Sequence, residues 1–99
     1  MKDYEGAISD FNKAIELNSQ YAYAYFVRGS FKIQLKENEG AISDLNKAID
    51  LNPKYAEAYY FRGLPKFLLK DLDGACLDWG KAVELGYKDT FEFIKKYCK

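Results

Sequence analysis

Residues 38–52 read NEGAISDLNKAIDLN, and residues 4–18 read YEGAISDFNKAIELN. Twelve of the fifteen aligned positions are identical at an offset of thirty-four residues. A weaker third copy, LDGACLDWGKAVELG, occupies 72–86 at the same offset. Between the copies lies a second phrase, YAYAYFVRGSFKIQLK (21–36) and YAEAYYFRGLPKFLLK (55–70), matched at nine of sixteen positions. Self-similarity at a fixed period of this length marks a stack of equivalent units that bury their faces on one another.

Both phrases have helical spacing. Ala7, Ile8, Phe11, Ala14 and Ile15 follow i, i+1, i+4, i+7, i+8, one face of a 3.6-residue helix. Asp3 and Asp71 stand where N-caps belong, and Asn18 and Asn52–Pro53 end the preceding helices. Two helices per period, joined by short turns, make a helical-hairpin repeat. The spacing predicts an isolated second helix (B) over about 3–17, then hairpins over about 21–51 and 55–85. A last helix follows over about 89–98, with a capping box at Asp89 and Glu92. Its apolar face is read as Phe91, Ile94, Tyr97 and Cys98.

Small Gly29 and Gly63 in the first helix (A), the Ala41/Ala48 and Ala75/Ala82 pairs in B, and DLNP at 50–53 together resemble tetratricopeptide repeats. Bulky Tyr25 and Tyr59 early in A, and Phe11, Leu45 or Trp79 in B, fit the same pattern. The resemblance covers residues 1–86. It implies an all-α, right-handed alpha-alpha superhelix of about six helices in a single domain. The expected division is a truncated repeat with helix B only (1–20), repeats at 21–54 and 55–88, and a C-terminal capping helix (89–99). Departures are Lys36 and Lys70 where the family prefers glycine, Ser19 for the terminal proline, and Gly86–Tyr87 at the last exit. Pro65 stands inside a helix where the sister repeat has Phe31, and is expected to kink it by crowding the Phe61 carbonyl.

The resemblance also implies a protein–protein interaction scaffold in which helix A lines the concave side. The contact positions are Tyr23, Phe26, Val27 and Ser30 in one repeat and Glu57, Tyr60, Phe61 and Leu64 in the next, extended by Ile33, Phe67 and Leu68. Some members clamp a partner's terminal carboxylate with Lys, Arg and Asn. One Glu among aromatics cannot do that, and suits burial of an apolar peptide or helix. The plainer alternative is that several of these side chains are core. A second alternative is a self-associating module or homodimer. Helix B of the first repeat lacks its own helix A, and the open edge comprises Tyr4, Ile8, Phe11 and Ile15. A fragment of a longer array would present the same edge.

Composition limits the other classes. Fifteen basic and fifteen acidic side chains cancel, which removes the electrostatic footprint of a nucleic-acid binder. No apolar run approaches a membrane span and no start resembles a signal peptide, so cytoplasmic residence is the default expectation. Histidine is absent, and no catalytic, cofactor or metal cluster stands out. The Asp10/Asp44/Asp78 column with Arg28 and Arg62 recurs once per repeat and reads as ion pairing rather than catalysis. Asp44 and Lys47 also sit three apart on one helix. Cys76 and Cys98 are expected as reduced packing residues, with a disulfide as the lesser alternative.

Overall fold

The computed structural model describes residues 3–98. Among them are α1 (Tyr4–Leu17), α2 (Ala22–Gln34), α3 (Asn38–Leu51), α4 (Ala56–Leu68), α5 (Leu72–Glu84), a 3-10 turn (Lys88–Thr90) and α6 (Phe91–Tyr97), with no strand. α2 pairs with α3 and α4 with α5 as antiparallel hairpins, and the successive pairs stack into the all-α superhelix.

Asp3 and Asp71 cap α1 and α5 by accepting hydrogen bonds from the Gly6 and Gly74 amides (2.8 and 2.9 Å). Each carboxylate occupies the space a β-carbon would need at that glycine, which accounts for part of the glycine column. The A helices end in a Schellman turn: Glu37 N–H bonds Lys32 O and Lys36 N–H bonds Ile33 O, with the same pattern at Asp71 and Lys70. Lys36 and Lys70 therefore adopt φ of 63° and 70°, the left-handed region that glycine fills at least cost. The first two B helices end instead on extended Asn18 and Asn52, whose side chains accept from the Gln20 and Lys54 amides.

Close packing is concentrated where A crosses B. Ala41, Leu45, Ala48, Ala58, Ala75, Trp79 and Ala82 are wholly buried, and so are the crossing glycines Gly29 and Gly63 within their helices. Gly63 admits the Trp79 indole, whose Nε1 donates to the Tyr60 carbonyl (3.2 Å).

α4 is continuous through Pro65 and ends in the same register as α2, with the proline side chain buried. Three expectations are corrected here. Cys76 and Cys98 form a disulfide rather than two free thiols, because α6 folds back along α5 and brings their α-carbons to 5.9 Å. Thr90, not Asp89, precedes α6, and no side chain caps it; Asp89 lies within the 3-10 turn.

The third correction concerns one position on the packed face of α6. α5 ends as the A helices do, with a Schellman turn on Gly86 (φ 108°), so the chain re-enters two residues early. Tyr87 then meets Tyr60 (5.2 Å) as Tyr55 meets Phe26 (4.9 Å), and Phe93 meets Tyr60 (5.4 Å) as Phe61 meets Phe26 (5.3 Å). Phe93 and Tyr97 therefore face the core, while Phe91 is 51% exposed beneath Lys95.

Candidate functional site

The A-helix side carries a connected run of aromatic rings. Tyr21 meets Tyr23 (6.1 Å), Tyr23 meets Phe26 (6.4 Å), and Phe26 meets Tyr55 and Phe61. Phe61 packs edge-on to Tyr60 (5.2 Å), which continues to Tyr87 and Phe93. Offset and edge-on geometries at these separations are favourable for aromatic pairs. Burial keeps the Tyr60 phenol neutral to higher pH than usual and pushes Tyr55 up to about 12, with the negative charge of nearby Glu57 adding to the shift at Tyr55.

Of the residues read from the sequence, Tyr23 is 51% exposed and Glu57 is exposed on the first turn of α4. Phe26, Val27, Tyr60, Phe61 and Leu64 are half-buried. Phe26, Phe61 and Ile33 also pack against the core formed by Leu45, Ala48, Ile49 and Ala58, so they line core and surface at once. Ser30 donates its hydroxyl to the Phe26 carbonyl (2.9 Å) and acts within its own helix. Phe67 stands apart from the run: it packs between Trp79 (5.9 Å) and Tyr97 (4.6 Å) at the α6 junction. Leu68 is 59% exposed. Tyr21, Tyr55 and Tyr87, each just before a helix, were missed as members of this surface. Their signal was the repeated Tyr21/Tyr55 column.

The four cations at the hairpin crossings, Arg28, Lys32, Arg62 and Lys66, are all paired. Arg28 donates from Nε (2.8 Å) and Nη2 (2.6 Å) to Asp44, and Lys32 adds a third contact at 3.1 Å. Arg62 and Lys66 hold Asp78 in the same way, at 2.9, 2.6 and 3.0 Å. At Asp44 and Asp78 these are the inter-helix ion pairs expected of the Asp column, and Lys47 takes no part in them. Each arginine also donates from Nη1 to an asparagine of the preceding B helix, Arg28 to Asn12 and Arg62 to Asn46, both at 2.9 Å. One guanidinium thus ties three helices together. Arg28 is held above its ordinary pKa chiefly by its hydrogen bond to Asp44. At Arg62 burial is the largest influence and lowers it, but the hydrogen bond and charge of Asp78 prevail.

At the opposite edge, Tyr4 and Phe11 rest on Phe31 of α2 (5.5 and 6.1 Å), and Ile8 and Ile15 are half-buried. No residue of α1 is buried. Among the described residues no group of His, Cys, Asp and Glu could hold a metal ion, and no helix is long and apolar enough to cross a membrane.

Two family models match the chain: TPR repeat over residues 29–64, and tetratricopeptide repeat over residues 1–21. No curated protein sequence matches it. Among solved structures, the first TPR of Spaghetti (RPAP3) bound to the HSP90 peptide SRMEEVD is 29% identical, with a TM-score of 0.91. The match covers 95% of this chain and 76% of that one. The Arabidopsis OM64 TPR domain is 26% identical (TM-score 0.89), over 94% of this chain and 78% of that chain. MamA is 32% identical (TM-score 0.81), over 84% of this chain, which spans only 48% of MamA.

Proposed function

Because the chain belongs to the tetratricopeptide-repeat family, we propose that it is a non-enzymatic protein–protein interaction module binding an apolar peptide or helix on its A-helix surface. The observation that carries this is the aromatic run from Tyr23 through Phe26 and Phe61 to Tyr60, half-open to solvent beside Glu57. Rings already held by their neighbours lose little conformational freedom when a partner side chain covers them, so burial goes largely into affinity.

The Spaghetti domain is seen with a peptide whose sequence, SRMEEVD, is acidic toward its end. Here the four basic side chains of the hairpin crossings, Arg28, Lys32, Arg62 and Lys66, are bound to Asp44 and Asp78. Glu57 would repel an acidic segment, which favours an apolar ligand, neutral or basic at its margin.

Panning a display library of random peptides with free C-termini against the immobilised chain tests this. Spaced aromatic and aliphatic residues should be enriched, and Tyr23→Asp should weaken the selected peptides about tenfold. Enrichment of acidic C-termini, or indifference to Tyr23→Asp, would overturn the reading.

A further inference from the structure

The contact positions of the A helices recur a third time on α6. Because Gly86 shortens the connection by two residues, Glu57, Tyr60, Phe61 and Leu64 correspond to Asp89, Glu92, Phe93 and Lys96. Phe93 stands edge-on to Tyr60 (5.4 Å) as Phe61 stands edge-on to Phe26 (5.3 Å), so α6 continues the aromatic run as a third row. Beside Phe93 an open groove is lined by Glu92, Phe93, Lys96 and Tyr97, and most of its exposed lining is apolar. Cys98 lies on the far side of the helix from Glu92 and Lys96 and is tied to Cys76, so the end of α6 is held against α5 rather than over the groove.

Charge enters the surface along these rows. The contact positions of α2 carry none, those of α4 carry Glu57, and the third row carries Asp89, Glu92 and Lys96. All three are exposed, and among the described residues none of them makes an ion pair. Glu92 and Lys96 stand four apart, a spacing that favours pairing, yet the Lys96 ammonium lies over the Tyr97 ring (5.3 Å) and leaves the Glu92 carboxylate open. After burial and Tyr87, Asp89 is a further cause of the raised Tyr60 pKa, which sets its carboxylate beside the aromatic run.

We propose that the segment bound on the A-helix surface carries a lysine or arginine that Asp89 and Glu92 receive, while a neighbouring apolar side chain of the same segment seats between Phe93 and Tyr97. Two open carboxylates take up a cation without breaking an existing pair, whereas Arg28, Lys32, Arg62 and Lys66 would have to leave Asp44 and Asp78 to receive an anion. The inference rests on the A-helix surface being the binding face, and it names the ligand's charge and the end of the surface that reads it.

The test pans the random-peptide library in parallel against the native chain and an Asp89→Lys/Glu92→Lys variant. Both residues are exposed, so circular dichroism should show the variant fully folded. Lysine or arginine close to an aromatic or aliphatic residue should be enriched on the native chain, and aspartate or glutamate in its place on the variant. In fluorescence anisotropy, a labelled peptide enriched on the native chain should bind the variant about tenfold more weakly at low salt, with the gap closing at high salt. Lys96→Glu should tighten the same peptide about twofold. Apolar peptides enriched alike on both proteins, with no preference of charge, would overturn this proposal and leave the A-helix reading standing. Basic peptides that bind both proteins equally would place the cation elsewhere and overturn it as well. No enrichment on either protein would overturn both.

Discussion

Gly63 and Trp79 fit together so closely that a β-carbon on the glycine would fall 2.7 Å from the indole Cδ1 and nearer still to Nε1. The indole cannot swing aside, because Phe67, Phe93 and Tyr97 pack around it and its N–H is bonded to the Tyr60 carbonyl. Gly63→Ala should therefore destabilise by about 2 kcal/mol and Gly63→Leu by more, despite the gain in helix propensity. At Gly29 the corresponding distances are 3.0–3.2 Å, and α3 can yield slightly. Gly29→Ala should cost less than half as much. Urea denaturation of the variants checks both the sign and the ranking.

Lys36 and Lys70 hold left-handed backbone at the A–B turns, with φ of 63° and 70°. Among the described residues neither makes an ion pair that would offset the strain. Replacing either by glycine should stabilise the fold by about 0.5–1 kcal/mol, the left-handed penalty less glycine's entropic cost. The two gains should add, since the turns are far apart in the stack. A Lys36→Gly/Lys70→Gly double variant with an unchanged thermal midpoint would contradict this.

Asp44 and Asp78 are each only 4% exposed and each bind an arginine and a lysine. Removing one leaves two cations facing each other at a helix crossing. Asp44→Ala or Asp78→Ala should destabilise by about 2–4 kcal/mol. Asp10→Ala alters the same sequence column on an exposed site and should stay within about 0.5 kcal/mol. Chemical denaturation of the three variants side by side distinguishes structural pairing from a uniform column effect.

The period of thirty-four made most of the fold legible, because every repeat places the same small residues at the same crossings. The Arg–Asp pairing was legible from its columns as well. The asparagine acceptors were overlooked although Asn12 and Asn46 recur at the same offset as the aspartates. What could not be read followed from one turn. Gly86 ends α5 in the manner of an A helix and shortens the connection by two residues. That sets α6 so that Phe93 faces inward in place of Phe91, beside Tyr97, which the helical spacing already placed there. Ile94, Tyr97 and Cys98 were legible as the packed side of α6, and Phe91 was the one residue of the four placed there wrongly. The approach of Cys98 to Cys76 was read as the lesser alternative, because no spacing motif announces the pair, and the covering of Phe67 by Tyr97 was not read at all.

Two tyrosines give the molecule an alkaline limit. Tyr55 is pushed up to about 12 and Tyr60 also upward, in both cases first by burial, so the folded state favours the neutral phenol more than the unfolded chain does. Their contribution is fully present below pH 10 and is lost as the pH rises from 10 toward 12. Stability measured by denaturant should fall over that window, and Tyr55→Phe should flatten the fall. An equally steep decline in the phenylalanine variant would place the titration elsewhere.

The disulfide between Cys76 and Cys98 ties the end of α6 to α5 across a separation of twenty-two residues. Closing a loop of that size restricts the unfolded chain by about 3 kcal/mol in the chain-entropy account. α6 has only seven residues, too few to be helical unaided, so it depends on that tie and on Phe93 and Tyr97 packing against Tyr60, Phe67 and Trp79. In a dithiol reductant, or in Cys98→Ser, the amides of Phe91–Tyr97 should exchange with solvent at least tenfold faster. The amides of α2 and α3, which α6 does not touch, should keep most of their protection. The aromatic contacts should hold α6 in place part of the time, so Tyr97→Ala combined with reduction should free it fully. Uniform loss of protection over all six helices would show instead that the disulfide holds the whole stack rather than its last helix.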